Sequence, residues 1–229
     1  MDHTIESKRL ELVEPDNLAE YSQKRGKEVA QAPGKRGATL LRDGLEMTPM
    51  YDEDNRANFS DRFLGQVFRR IVREDILNRL FYDGSVRNTR DFRHFAHNRD
   101  NELFFVSIDD NPVGFFWLNR FRHKSFFINY CFYREFRGND AERISNICID
   151  HIFAHRDHSG DFMVDALLGL TPADNKLAVR FLLKNGMTVL GRVPGFIYDA
   201  IRDKSVDGIF SYRQRNRQTG FRISSLFFS

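Results

Sequence analysis

Cysteine is nearly missing from this chain: Cys131 and Cys148 are the two in 229 residues. Two thiols make neither a disulfide framework nor a four-cysteine zinc module. No apolar run approaches the roughly 20 residues needed to span a bilayer. The opening Met1-Asp2-His3-Thr4-Ile5-Glu6 lacks the basic-then-apolar order of a secretory leader. These absences lead us to expect a cytoplasmic protein with reduced thiols and no membrane partner. A large charge of one sign is missing too. Lys and Arg number 35 against 32 Asp and Glu, a net +3, too little to announce a nucleic-acid binder by balance alone. There is no G-x-x-x-x-G-K-[S/T] and no G-x-S-x-G, so neither a phosphate-binding P-loop nor a serine nucleophile elbow is signalled. Both cysteines sit in apolar strand and helix patterns, where burial makes thiols inert. What the chain does have is phenylalanine, 23 residues against one tryptophan, within a hydrophobic share of 41%. That is enough for a core, built largely from packed rings.

Along the chain, residues 1–58 are the least core-like. Val29 to Thr39 reads V-A-Q-A-P-G-K-R-G-A-T, and Lys24, Arg25, Lys27, Lys35 and Arg36 cluster there. Small and basic, it reads as a turn-rich solvated arm or a contact arm for a partner. A second region, 59–229, is expected to hold the folded domain. Phe63, Leu64, Val67, Phe68 and Ile71, then Ile76, Leu77 and Leu80, recur at helical spacing, so one amphipathic helix is expected over 60–81, started by Asn58 or Ser60. A short helix from Thr89 carries Phe92 and Phe95. The period then drops to two. Leu103–Ile108 and Val113–Phe121 form a hairpin about Asp109-Asp110-Asn111-Pro112, and Ser125–Tyr133 is a third, aromatic-rich antiparallel strand. After Gly138-Asn139-Asp140 comes a helix with Ile144, Cys148 and Ile152 on one stripe. Met163–Leu170 is a strand that follows a helix, so a parallel crossover is expected. A helix over Asn175–Lys184 ends at Asn185-Gly186, and strands follow near Thr188–Tyr198 and Val206–Arg213. The class is α/β, with a mixed, mostly antiparallel central sheet flanked by helices.

Two segments resemble the GNAT (GCN5-related N-acetyltransferase) superfamily, closest to its branch that lacks a tyrosine on the late helix. One is Phe132 to Glu142, F-Y-R-E-F-R-G-N-D-A-E, which resembles the family's strand-to-helix turn, with Arg137-Gly138 at the start of its pattern. The other is Asn175 to Met187, N-K-L-A-V-R-F-L-L-K-N-G-M, similar to the family's late helix through Asn175, Ala178, Lys184, Gly186 and Met187. The likeness covers residues 60–215 or so. It implies acetyl-CoA as co-substrate and an amine, protein or small molecule, as acceptor. It implies a cofactor site made of Phe132, Tyr133, Arg137, Gly138, Asn139, Asp140, Ala141, Arg143 and Asn175. The physical basis is sound: a turn opening a helix aims unpaired backbone N–H groups outward, the helix dipole adds positive potential, and a pyrophosphate suits such a place. The strand beside it is expected to splay from its neighbour and take a pantetheine arm through backbone hydrogen bonds.

Three residues depart from the pattern. Asp140 and Glu142 put carboxylates where small residues are usual, and repel a pyrophosphate unless they turn away or pair with Arg137 and Arg143. Leu182 stands where many members have a tyrosine that protonates the departing thiolate, a tyrosine that members resembling the ribosomal-protein N-acetyltransferases often lack too. The acid then comes from elsewhere, with Tyr198 and Tyr133 as candidates, or from water, and the base is a carboxylate, Glu135 or Glu102, or an ordered water. The rival reading, carried by the same three residues and the basic arm, is an inactive GNAT-shaped binding or scaffolding protein of a larger assembly. His151, His155 and His158 lie at i, i+4 and i+7, but no further ligand completes a zinc signature and no metal is expected. Arg213, Arg215, Arg217 and Arg222 interleave with Tyr212 and Phe221; a solvated edge or a homodimer contact explains them more simply than nucleic acid does.

Overall fold

The computed structural model describes residues 36–215. Eight strands make one sheet: β1 Thr39–Leu40, β2 Leu45–Pro49, β3 Asn101–Ile108, β4 Asn111–Arg122, β5 Ser125–Phe132, β6 Ala166–Pro172, β7 Thr188–Asp199 and β8 Lys204–Gln214. Their order is β1-β2-β3-β4-β5-β6-β8-β7, and every pairing is antiparallel except β5 with β6. The α-helices are α1 Asp61–Arg73, α2 Leu77–Leu80, α3 Thr89–His97, α4 Asn139–Ala154 and α5 Lys176–Lys184.

Alternation along the strands supplies two cores. On β4, Phe115 and Trp117 face one side, where α1 and α3 bring Leu64, Ile71 and Phe92. Phe116 and Leu118 face the other, where α4 brings Ile144, Ile147 and Cys148. The phenylalanine excess is spent mostly on the first face. The Phe92 ring lies within 6.4 Å, centroid to centroid, of Phe68, Phe81, Phe95 and Phe115.

The expected hairpin, third strand, crossover and late helix are all present. Asp109 and Asp110, both with positive φ (48° and 65°), make the turn between β3 and β4, so Asn111 and Pro112 belong to β4. The expected single helix over 60–81 is broken. Glu74 ends α1, Asp75 takes φ 55°, and a separate turn of helix, α2, follows. An apolar stripe alone does not record this, because Ile76, Leu77 and Leu80 keep packing into the same core after the break. Ser60 caps α1, accepting from the Phe63 N–H at 3.2 Å.

The sheet also starts earlier than residue 59. Strands β1 and β2 lie in the stretch whose composition read as an arm, and Leu45, Met47 and Met50 are buried. Five residues of β2 pair with β3, so pairing, not local propensity, makes them strand. Most of the basic arm, including Lys24, Arg25, Lys27 and Lys35, lies outside the described residues, as do Arg217, Phe221 and Arg222. No helix among the described residues is long and apolar enough to cross a membrane.

Candidate active site

Strands β5 and β6 run side by side for three residue pairs only: Ser125 with Ala166, Phe126 with Leu167, and Phe127 with Leu168. Beyond them each strand stays with its other neighbour. Ile128 to Phe132 continue against β4, while Gly169 to Pro172 continue against β8. The two facing edges diverge into a V-shaped gap, and their backbone polar groups are left without a strand partner. Side chains from β5 flank it. On the α4 side Tyr130 and Phe132 stack at 6.0 Å, and Phe181 of α5 meets both rings edge-on, at 5.5 and 5.8 Å. The buried Tyr130 hydroxyl has no hydrogen-bond partner among the described residues.

From the open end of β5 the chain makes a short 3-10 turn, Arg134–Phe136, and enters α4 at Gly138. Gly138 has φ 76° and ψ −128°, a conformation essentially closed to side chains. A Cβ there meets nothing within 4 Å, so backbone geometry and not crowding demands the glycine. Helices α1, α3 and α5 close their first turns with side chains: Ser60, Asn88 and Asn175 accept from Phe63, Asp91 and Ala178. Helix α4 has no side-chain cap. Its first N–H groups, from Asn139, Asp140 and Ala141, therefore face outward beside the gap.

The charged residues around this end sort themselves out. Glu142 is held by Lys184 of α5 at 3.0 Å, so one of the two unwelcome carboxylates is neutralised, by a lysine rather than by an arginine of the turn. Arg143 is turned to Asp43, 2.7 Å away, and does not reach into the cradle. Arg137 and Asp140 are exposed and make no hydrogen bond or ion pair among the described residues. Arg137 is thus the cation at hand. The turn is tied to α1: Glu74 accepts from the Arg134 N–H at 2.6 Å and from Arg70 at 2.8 Å, and Arg70 lies over the Tyr133 ring at 3.6 Å.

The expected acid and base residues fare differently. Glu135 is hydrogen-bonded to Arg70, which holds its carboxyl below the usual range. It points to α1 and is a weak base. Glu102 lies on β3, two strands from β5. Tyr198 stands on β7, the outermost strand and two strands from the gap. It is exposed and donates to Asp203 at 2.5 Å, a bond that raises its pKa. Tyr133 is buried on the α1 face, where desolvation pushes its pKa far up. The structure does not gather these four side chains at the gap. Asn175 is spent as a helix cap, its Oδ1 taking the Ala178 N–H at 3.2 Å. Leu182 is buried against Gly169 on β6. The two C-terminal arginines that are described serve the fold: Arg213 bonds Asn146, Asn185 and Asp150, and Arg215 bonds Asp165.

No protein-family profile and no curated protein matches the sequence. Solved structures do match. An acetyltransferase of the GNAT family from Bacillus anthracis superposes with a TM-score of 0.61 over 78% of this chain and 100% of that one, at 14% identity. The GNAT fold is present. An acetyl transferase from Salmonella typhimurium that modifies the N-terminal serine of a 50S ribosomal subunit protein gives 0.59 at 13% identity, over 75% and 95% of the two chains. Spermidine N-acetyltransferase from Vibrio cholerae, in complex with CoA and spermine, gives 0.56 at 14%, over 75% and 96%. The shared property is the GNAT architecture, at identities too low to carry side-chain roles.

Within this GNAT fold neither thiol is placed as a nucleophile. Cys131 and Cys148 are both buried. Desolvation raises both, Cys148 to about 12. We expect native protein at pH 8 to resist iodoacetamide at both positions and to take up two labels only in denaturant, as mass spectrometry would show. Rapid labelling of the native chain would contradict the burial.

Proposed function

We propose that this chain transfers an acetyl group from acetyl-CoA to an amine. The observation that supports the reading most is the coincidence of two features. The uncapped, glycine-started end of α4 follows the open end of β5, the strand that has already left β6. A pyrophosphate on the N–H groups of Asn139, Asp140 and Ala141, with Arg137 beside it, satisfies the orphan donors and the helix dipole together. The arm joined to it then lies along the free edge of β5 near Phe132 and Tyr133, as an added strand.

The chemistry is direct. The amine nitrogen attacks the thioester carbonyl, a C–N bond forms, the C–S bond breaks, and its electron pair leaves with sulfur. The nitrogen gives up one proton and the sulfur gains one. A strand N–H beside Phe132 faces the oxyanion. The sequestered cysteines leave no acyl-thiol detour on the protein. On this reading the acyltransferase domain begins at β1 and not at residue 59.

An inactive scaffold of the same shape is the second reading, favoured by exposed Asp140 and by Leu182. Titration calorimetry with acetyl-CoA separates the two. The enzyme reading expects saturable binding, a thermal shift and acetyl transfer to at least one amine. Absence of both heat and thermal shift would sink it and leave the scaffold.

A further inference from the structure

On the sheet face opposite α4 lies a cavity of about 570 Å³, floored by β4 and β5 and walled by α3 and the loop after α2. Three asparagines cross its floor, and their amides form a one-way chain. Asn129 Nδ2 donates to Asn119 Oδ1 at 3.2 Å. Asn119 Nδ2 donates in turn to Asn101 Oδ1, and Asn101 Nδ2 to the Phe95 carbonyl at 3.0 Å. Each donor points away from β5, so each oxygen is filled by the amide before it. The last, Asn129 Oδ1, accepts nothing among the described residues.

Position gives that oxygen its meaning. Asn129 is the second residue past Phe127, where β5 parts from β6. It therefore stands at the apex of the gap, on the side away from α4. Asn129 is half-buried and lines the cavity, so its oxygen offers an acceptor to a guest's N–H. The cavity's titratable lining is Tyr82, Asp83, Asp91 and His94, with no Lys or Arg. Nearby Arg87 turns its guanidinium to the Gly84 carbonyl, 2.9 Å away. A carboxylate-bearing guest finds no counter-charge in the lining; an ammonium finds two carboxylates.

We propose that this cavity receives the acceptor, that an amine of the acceptor donates to Asn129 Oδ1, and that the acceptor's tail carries positive charge. The inference rests on the acetyl-transfer reading but is tested apart from it. Putrescine, butylamine and γ-aminobutyrate share a four-carbon chain and differ in tail charge. Each is titrated calorimetrically into the full-length protein, with and without coenzyme A. We expect putrescine to bind about tenfold more tightly than γ-aminobutyrate, with butylamine between.

Asn129→Ala should weaken putrescine about tenfold and leave coenzyme A affinity unchanged, the effect of losing a hydrogen bond to a charged group. Asn129→Asp keeps an oxygen at the spot, gives up the donor to Asn119 and adds a negative charge, so it should bind putrescine at least as well as the parent. Equal binding of the three amines, or no binding of putrescine, overturns the proposal. So does a loss with Asn129→Asp as large as with Asn129→Ala, since that marks a structural role for the ladder. If coenzyme A itself fails to bind, the acetyl-transfer reading falls, while the ranking of the amines still decides what the cavity takes.

Discussion

Gly138→Asp is expected to weaken coenzyme A binding by about a hundredfold or more while the fold survives. Two effects act together. A side chain at φ 76°, ψ −128° is strained by roughly 1–3 kcal/mol, so the turn relaxes and its N–H groups lose their common aim. On the proposed reading the new carboxylate also stands where the diphosphate lies, against the positive end of α4. Space is not the obstacle, since a Cβ at Gly138 meets nothing within 4 Å. Gly138→Ala carries the strain without the charge and should therefore fall between the parent and the aspartate variant. Calorimetry with coenzyme A reads both. Parent-like affinity in a well-folded Gly138→Asp protein would remove the cradle from the argument.

The second large effect is expected at Gly114. This residue sits on β4 opposite Phe132, and a Cβ added there lands 2.0 Å from the Cys131 carbonyl oxygen and 3.1 Å from the Phe132 Cα. Both obstacles are backbone, so no side chain can swing away. Gly114→Ala must push the end of β5 off β4, and it should destabilise the protein by about 3 kcal/mol, lowering the melting midpoint by roughly 10 °C. It should also spoil coenzyme A binding, because the strand that moves is the one bordering the gap. A thermal melt together with calorimetry checks both halves. A parent-like midpoint would mean that β4 and β5 are not packed this closely.

Much of this architecture was legible in the residues. Period-two runs placed β3, β4 and β5, and the Asp109-Asp110 turn marked their hairpin. A helix between two strands implied the parallel β5–β6 pairing, and Asn185-Gly186 marked the end of α5. Strands β1 and β2 were not legible, because only long-range pairing with β3 gives Thr39–Pro49 its conformation. The break at Asp75 was hidden because the apolar stripe runs through it.

At the candidate site, Gly138 and Arg137 were readable from the strand-to-helix pattern. The partners of the charges were not. Lys184 on a distant helix takes Glu142, and Asp43 takes Arg143 across 100 positions of chain. The asparagine ladder was missed as well. Its one visible sign was Asn129 itself, an amide amid S-F-F-I-N-Y-C-F-Y, a poor strand former kept among good ones.

Helix α4 also matters to the chain at rest. Three of its sister helices finish their own ends, whereas this one has no side-chain cap and forgoes the stability, on the order of 1 kcal/mol, that a capping side chain supplies. On the proposed reading, the molecule's resistance to heat is not a fixed constant. It rises with the concentration of whatever occupies that end, so a starved and a replete cell would hold this protein at different margins from unfolding.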